Sequence, residues 1–188
     1  MWALRSHADH YDAHTRDLVF YLIDADNFKE VNDRYGHDVG DTVLVEMARR
    51  LSSSIRHSDI LVRWGGEEFL IVSRYTDRSE AELLAKRVLA AVADAPFLLS
   101  ASEETIYRTC SLGWAAFPWF PENPRAVGYE EVLTLADRGL NRAKHSGKNC
   151  AVGMMPASGK VPSTTVAGLH SNSLNVDVLA VAGPQHAI

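Results

Sequence analysis

The run LVFYLI, Leu18 to Ile23, is continuously apolar and stops at Asp24, the pattern of a strand covered on both faces at the centre of a sheet. Behind it, DNFKEVNDRYG sets Phe28, Val31, Asn32 and Tyr35 at helical spacing, with Asp26 as the expected cap and Gly36 as the stop. A longer helix is predicted from near Asp41, with Val43, Leu44, Met47, Ala48, Leu51 and Ile55 on one face. Two short β-branched and aromatic runs, Asp59 to Val62 and Phe69 to Val72, meet across RWGGEEF and read as a hairpin. Gly65 and Gly66 can take the positive φ angles of a two-residue type I′ turn there. The stripe Ala81, Leu84, Ala85, Val88, Leu89 and Val92 predicts a third helix capped by Ser79. PFLLS and TIYRTCSLGWAAFP read as two strands, YEEVLTLADRGLNRAKHSG as a fourth helix ended by Gly147, and NCAVGM as a last strand.

The order strand-helix-helix-strand-strand-helix-strand-strand-helix-strand predicts an α+β fold, with helices packed against a largely antiparallel central sheet. Residues 1–17 are polar and His-rich and read as a lead-in helix or linker, leaving 18–155 as the domain. From Pro156 to residue 188, Ser, Thr, Gly, Pro, Ala and Val dominate, and the stretch reads as a flexible tail in which VDVLAVA, Val176 to Ala182, is able to dock as a strand. The Pro- and aromatic-rich stretch Phe117 to Tyr129 reads as a packed loop.

With 188 residues, 46% of them apolar, the chain can build one core. A net charge of -5 argues against a general nucleic-acid or anionic-membrane binder, so any phosphate must be held by a local group of cations. Cys110 and Cys150 have neither disulfide-framework nor metal-ligand spacing, which suits a reducing cytoplasm. No run approaches the roughly 20 apolar residues that cross a bilayer.

The hairpin raises the first chemical question, because Glu67 and Glu68 are adjacent carboxylates that repel and form strands poorly. Asp24, at the exit of the central strand and just before a helix N-terminus, is placed to hold a hard cation, while N–H groups at Asn27, Phe28 and Lys29 can receive phosphate oxygens. Either Asp24 or Asp26 alone would serve as a helix cap. A strand and a neighbouring hairpin can also bring Asp24 and Glu67 together, a pair that would be repulsive when buried but suits Mg2+. Lys144 and Lys148 stand at the end of the fourth helix, where cations also meet the helix dipole. HSGKN lacks P-loop spacing, and no Gly-x-Gly-x-x-Gly occurs.

Three motifs, DADNFKEVNDRYGHDVGD (Asp24 to Asp41), RHSDILVRWGGEEF (Arg56 to Phe69) and ADRGLNRAKHSGKN (Ala136 to Asn149), in this order and spacing, resemble the GGDEF domain of bacterial diguanylate cyclases. The resemblance covers roughly residues 18 to 153. It implies a fold like that of nucleotide cyclases and polymerase palms with a catalytic β-hairpin, and condensation of two GTP to cyclic di-GMP and two pyrophosphates by a homodimer. It further implies that Asp24, Glu67 and the carbonyl of Ala25 hold Mg2+ or Mn2+, and that Glu68 contacts metal or accepts the 3′-hydroxyl proton. Asn27, Phe28, Lys29, Lys144 and Lys148 would cradle phosphates, Lys29 doing so at the catalytic centre. Asn32 and Asp41 would read guanine, and Gly65 and Gly66 would leave room for the nucleotide. Arg56 and Asp59, with Arg87, match an Arg-x-x-Asp product-inhibition site, whose plain alternative is a surface salt bridge. Where Lys148 stands the family often has Arg, and no Asp-x-Leu-Thr-Gly-Leu segment precedes the first strand, so the resemblance suggests a fragment of a larger signalling protein. A rival reading is a cyclic di-GMP-sensing module without turnover.

Overall fold

Side chains leave β1 (Asp17–Ala25) in alternate directions, so that Val19, Tyr21 and Ile23 enter one core while Leu18, Phe20 and Leu22 enter another. All nine residues of the strand are buried, which is why its odd and even positions are both apolar. The computed structural model describes residues 17–99, 104–157, 174 and 176–184; the lead-in expected at residues 1–17 lies outside these except for Asp17.

After β1 come α1 (Phe28–Tyr35) and α2 (His37–Ser54), then the hairpin of β2 (Ile60–Gly65) and β3 (Glu68–Thr76). α3 (Ala81–Ala93) leads to a small two-stranded sheet of β4 (Phe97–Leu98) and β5 (Thr105–Ile106). β6 (Cys110–Phe117), α4 (Tyr129–His145), β7 (Cys150–Pro156) and β8 (Val176–Ala182) complete the order. The main sheet runs β2-β3-β1-β6-β7-β8, antiparallel except between β6 and β7, which α4 joins as a crossover. Phe28, Val31 and the stripes of α2 and α3 cover one face. α4 and the loop before it cover the other, with Trp119, Phe120, Ala126 and Val127 buried as a packed loop requires.

Several expected boundaries move, each for a local reason. α2 starts at His37, since Gly36, at φ 85°, both ends α1 and serves as the N-cap of α2. Asp77 rather than Ser79 caps the 3-10 turn Arg78–Glu80 before α3, accepting from the Ser79 N–H at 2.9 Å. The stretch from Thr105 divides, Thr105 and Ile106 pairing with β4 and Cys110–Phe117 with β1, with three residues outside either strand between them. Within the expected tail, Val176–Ala182 is a strand paired with β7 along its length.

Two contacts fix how the helices sit. The buried Arg50 of α2 donates to the carbonyls of Val92, in the last turn of α3, and of Ala95 and Pro96 just after it, at 2.9, 2.5 and 2.7 Å, and lies over the Phe97 ring. Gly113 and Gly139 let α4 rest directly on the sheet backbone: a Cβ at Gly113 would stand 2.1 Å from the Ala136 carbonyl oxygen and 2.1 Å from the Leu140 nitrogen. One at Gly139 would stand 2.6 Å from the Val152 carbonyl oxygen. This close seating directs the C-terminal end of α4, with Lys144, to the exit of β1.

Candidate active site

Asp24 is held by its register, opposite Glu68 of β3 on one side and Ser111 of β6 on the other. Only 7% of it is exposed, and the ammonium of Lys144 donates to its Oδ2 at 2.6 Å. Burial raises the Asp24 pKa above its ordinary value, and the hydrogen bond and charge of Lys144 offset only part of that. Among the described residues Oδ1 accepts no hydrogen bond. The carboxylate is therefore ion-paired but desolvated, and Oδ1 is open to a further partner.

The hairpin turn falls one residue later than its glycine pair suggests. Gly65 pairs with Glu68, so Gly66 and Glu67 are the two turn residues, and of the two glycines only Gly66 has a positive φ, 27°. Glu67 thus projects from the turn itself, while Glu68 begins β3. The turn is tied down from both sides: Ala25 N–H donates to the Glu67 carbonyl at 3.3 Å, and the Arg63 guanidinium donates to the Gly66 carbonyl at 2.9 and 2.7 Å. Arg63 was not singled out by sequence, because its partner is a carbonyl.

Asp26 does not cap α1. Its buried carboxylate instead accepts from the hydroxyls of Thr109 and Ser111, both at 2.7 Å, and from the Asn149 N–H at 2.9 Å. It pins the exit of β1 to the start of β6 and to the loop after α4. The N-cap position of α1 falls to Asn27, at φ 56° and without a side-chain cap, which leaves the first N–H groups of the helix without that partner. Lys148 donates its ammonium to Asn27 Oδ1.

These parts border an open cleft of about 380 Å³, lined by Asp24, Ala25, Asn27, Phe28, Lys29, Glu67, Lys144 and Lys148, with Asp26, Glu30 and Asp33 beside them. Eight expected site residues therefore converge. Glu68, Gly65, Gly66, Asn32 and Asp41 do not border it. Asn32 is half-buried against Gly40, where a Cβ would meet its Oδ1 at 1.9 Å, and Asp41 is exposed one residue further on. A larger hollow of about 700 Å³ lies on the other side of Asp26 and Asn27, between Arg34, Tyr35, Tyr107 and Arg108, and includes neither Asp24 nor the lysines.

Arg56, Asp59 and Arg87 also meet, around a cleft of about 30 Å³. Asp59 is buried and accepts from the Arg56 N–H at 2.9 Å and the Ser73 hydroxyl at 3.0 Å, while the Arg56 guanidinium stands 3.7 Å from Glu80. So small a space admits a water molecule or two.

The donor set at Asp24 fits a hard divalent cation. Two carboxylates and a backbone carbonyl offer oxygen alone, and the unbonded Oδ1 of the buried Asp24 carboxylate is open to a cation. Among the described residues no group of three or more His, Cys, Asp or Glu is placed to hold a metal ion by itself.

The fold is α+β and cyclase-like, and its hairpin and strand exit carry the polar groups. The sequence profile of the family described as Diguanylate cyclase, GGDEF domain, matches residues 3–150, and the chain belongs to that family. The response regulator PleD of Caulobacter vibrioides is 40% identical over 132 residues, 70% of this chain and 28% of that protein. The chain spans about a third of the length of the curated relatives it matches. Among solved structures, diguanylate cyclase SiaD in complex with its activator SiaC from Pseudomonas aeruginosa is 34% identical, with TM-score 0.70, over 81% of this chain and 55% of that one. The active GGEEF domain of a diguanylate cyclase from Vibrio cholerae is 31% identical, with TM-score 0.62, over 77% of this chain and 85% of that one.

Proposed function

We propose that this chain is a diguanylate cyclase domain, joining two GTP into cyclic di-GMP with release of two pyrophosphates between two facing copies. The observation that carries the reading is the single cavity in which Asp24, Glu67, the uncapped start of α1 and three lysines converge. Membership of the diguanylate cyclase GGDEF family supports it.

In this reading the N–H groups of Asn27 and Phe28 and the ammonium groups of Lys29, Lys144 and Lys148 bind and orient the triphosphate. Asp24, Glu67 and the Ala25 carbonyl would hold Mg2+ or Mn2+, which when bound supplies neutralising charge to the phosphates. Lys144 holds Asp24 in place until then. Glu68, opposite Asp24 in the ladder, accepts the proton of the 3′-hydroxyl. Asn32 and Asp41 read guanine, since a carboxylate accepts from the N1–H and N2 amine edge that adenine lacks. Gly65 and Gly66 keep the hairpin open to the nucleotide. The product inhibits through Arg56, Asp59 and Arg87, after the Arg56 and Glu80 side chains separate. The domain works in the cytoplasm, where GTP is available, without a nucleic-acid partner, and is open to tethering by a sensor or membrane domain of a longer protein; among the described residues no helix is long and apolar enough to span a bilayer.

Incubation with GTP and Mg2+, free and fused to a dimerising coiled coil, is expected to yield cyclic di-GMP, most from the fusion. Glu67→Gln in the fusion should lower the rate by more than about 100-fold. Absence of product from both unmutated forms sinks the proposal, and full activity in Glu67→Gln sinks the metal assignment. For the inhibitory site, Arg56→Ala should leave the initial rate unchanged while raising the product concentration that halves it by about tenfold. An unchanged inhibition curve removes Arg56 from that role.

A further inference from the structure

We infer that Gly183 and Pro184, just beyond β8, position the phosphate-binding loop by clasping Asn149; this rests on the phosphate role proposed for Lys148. Gly147, Lys148 and Asn149 have φ angles of 108°, 65° and 44° in succession. Two of the three are not glycine, and although Asn tolerates this region Lys seldom adopts it, so the surroundings must hold the loop there. Four hydrogen bonds do so here. Lys148 N–H donates to the Ala143 carbonyl at 3.2 Å, and Asn149 N–H donates to Asp26 Oδ2 at 2.9 Å. The other two come from the C-terminal segment: Gly183 N–H donates to the Asn149 carbonyl, and Asn149 Nδ2 donates to the Pro184 carbonyl, both at 2.8 Å.

The clasp continues the sheet. Cys150 pairs with Ala182, so the bond from Gly183 adds one rung to the β7-β8 ladder and reaches the residue next to Lys148. With Asn149 held, Lys148 can lay its ammonium on Asn27 at the start of α1, inside the cavity. Gly183 is required at its place, because a Cβ there would fall 2.2 Å from Asn149 Oδ1 and 2.8 Å from the Asn149 carbonyl oxygen. The segment lies beyond the residues that match the family, so this chain supports its phosphate loop with an element outside the matched domain. Gly183 and Asn149 are positioning residues that act through Lys148.

The test compares the full chain with a truncation after Ala182, which keeps β8, and with Gly183→Ala, which carries the test if the truncation fails to fold. Amide hydrogen exchange at 147–149, calorimetric binding of magnesium pyrophosphate, and KM and kcat for GTP are measured. Faster exchange is expected, with pyrophosphate affinity and KM each weakened about threefold to tenfold and kcat little changed, the loss of roughly one hydrogen bond's worth of positioning. Unchanged exchange overturns the clasp. Faster exchange with unchanged affinity and KM overturns its role in positioning Lys148. If the full chain neither binds pyrophosphate nor uses GTP, the functional reading fails, while faster exchange in the variants still upholds the clasp.

Discussion

Asp24 is the residue at which folding and the proposed chemistry pull apart. Its pKa is raised in the fold, chiefly by burial, so ionised Asp24 opposes folding at neutral pH. The penalty is present above the raised folded-state pKa and vanishes once pH falls below the ordinary value of 3.8. Asp24→Asn removes the buried charge and leaves Lys144, which is one-third exposed, able to hydrate. This variant is expected to melt higher at pH 7, by on the order of 2 °C, to lose that advantage below pH 3.8, and to make no cyclic di-GMP. Calorimetric scans across pH check it; a lower melting temperature at pH 7 means that the Lys144 bond outweighs the burial penalty. Asp24 was legible in the sequence because it ends an apolar run beside a helix start. Asp26 was not: its partners Thr109, Ser111 and Asn149 are set by the register of other strands, and no local pattern at Asp26 distinguishes a pin from a cap.

At the level of elements, helices and strands followed from their periodicity, and what the sequence concealed was mostly where neighbours meet. The hairpin was recognisable from GGEE between two apolar runs, yet the turn sits on Gly66 and Glu67, a shift that depends on the bulge between Arg63 and Gly65 opposite β3. β8 was legible only as a possibility, since VDVLAVA is too short to declare its partner. Gly113 and Gly139 gave no sign of their pairing, although they decide where Lys144 ends up. Gly113→Ala must push a methyl into two backbone atoms of α4, which cannot turn aside as a side chain would. A loss of about 3 kcal/mol in urea unfolding is expected. Gly128→Ala, whose methyl would meet only the flexible end of Glu130 at 3.2 Å, should cost less than about 1 kcal/mol. Equal losses for the two variants exclude backbone contact as the reason that α4 sits where it does.

For the whole molecule, the reaction proposed needs two nucleotides, and one chain has one cavity in which Asp24, Glu67 and the lysines meet among the described residues. Each GTP must present its 3′-hydroxyl to the α-phosphate of the other, so two copies have to face each other, and that pairing has its own concentration dependence. A net charge of -5 on each copy makes unassisted encounter unfavourable at low salt. A coiled-coil tether replaces that encounter with an effective concentration on the order of millimolar. Activity per mole of untethered chain is therefore expected to rise almost in proportion to protein concentration while pairing is weak, whereas the tethered chain keeps a constant activity per mole over the same range. Rates measured over a hundredfold dilution series separate the cases. If activity per mole is flat for the untethered chain down to nanomolar protein, where so weak a pair has dissociated, a single copy suffices and the facing-pair arrangement is wrong.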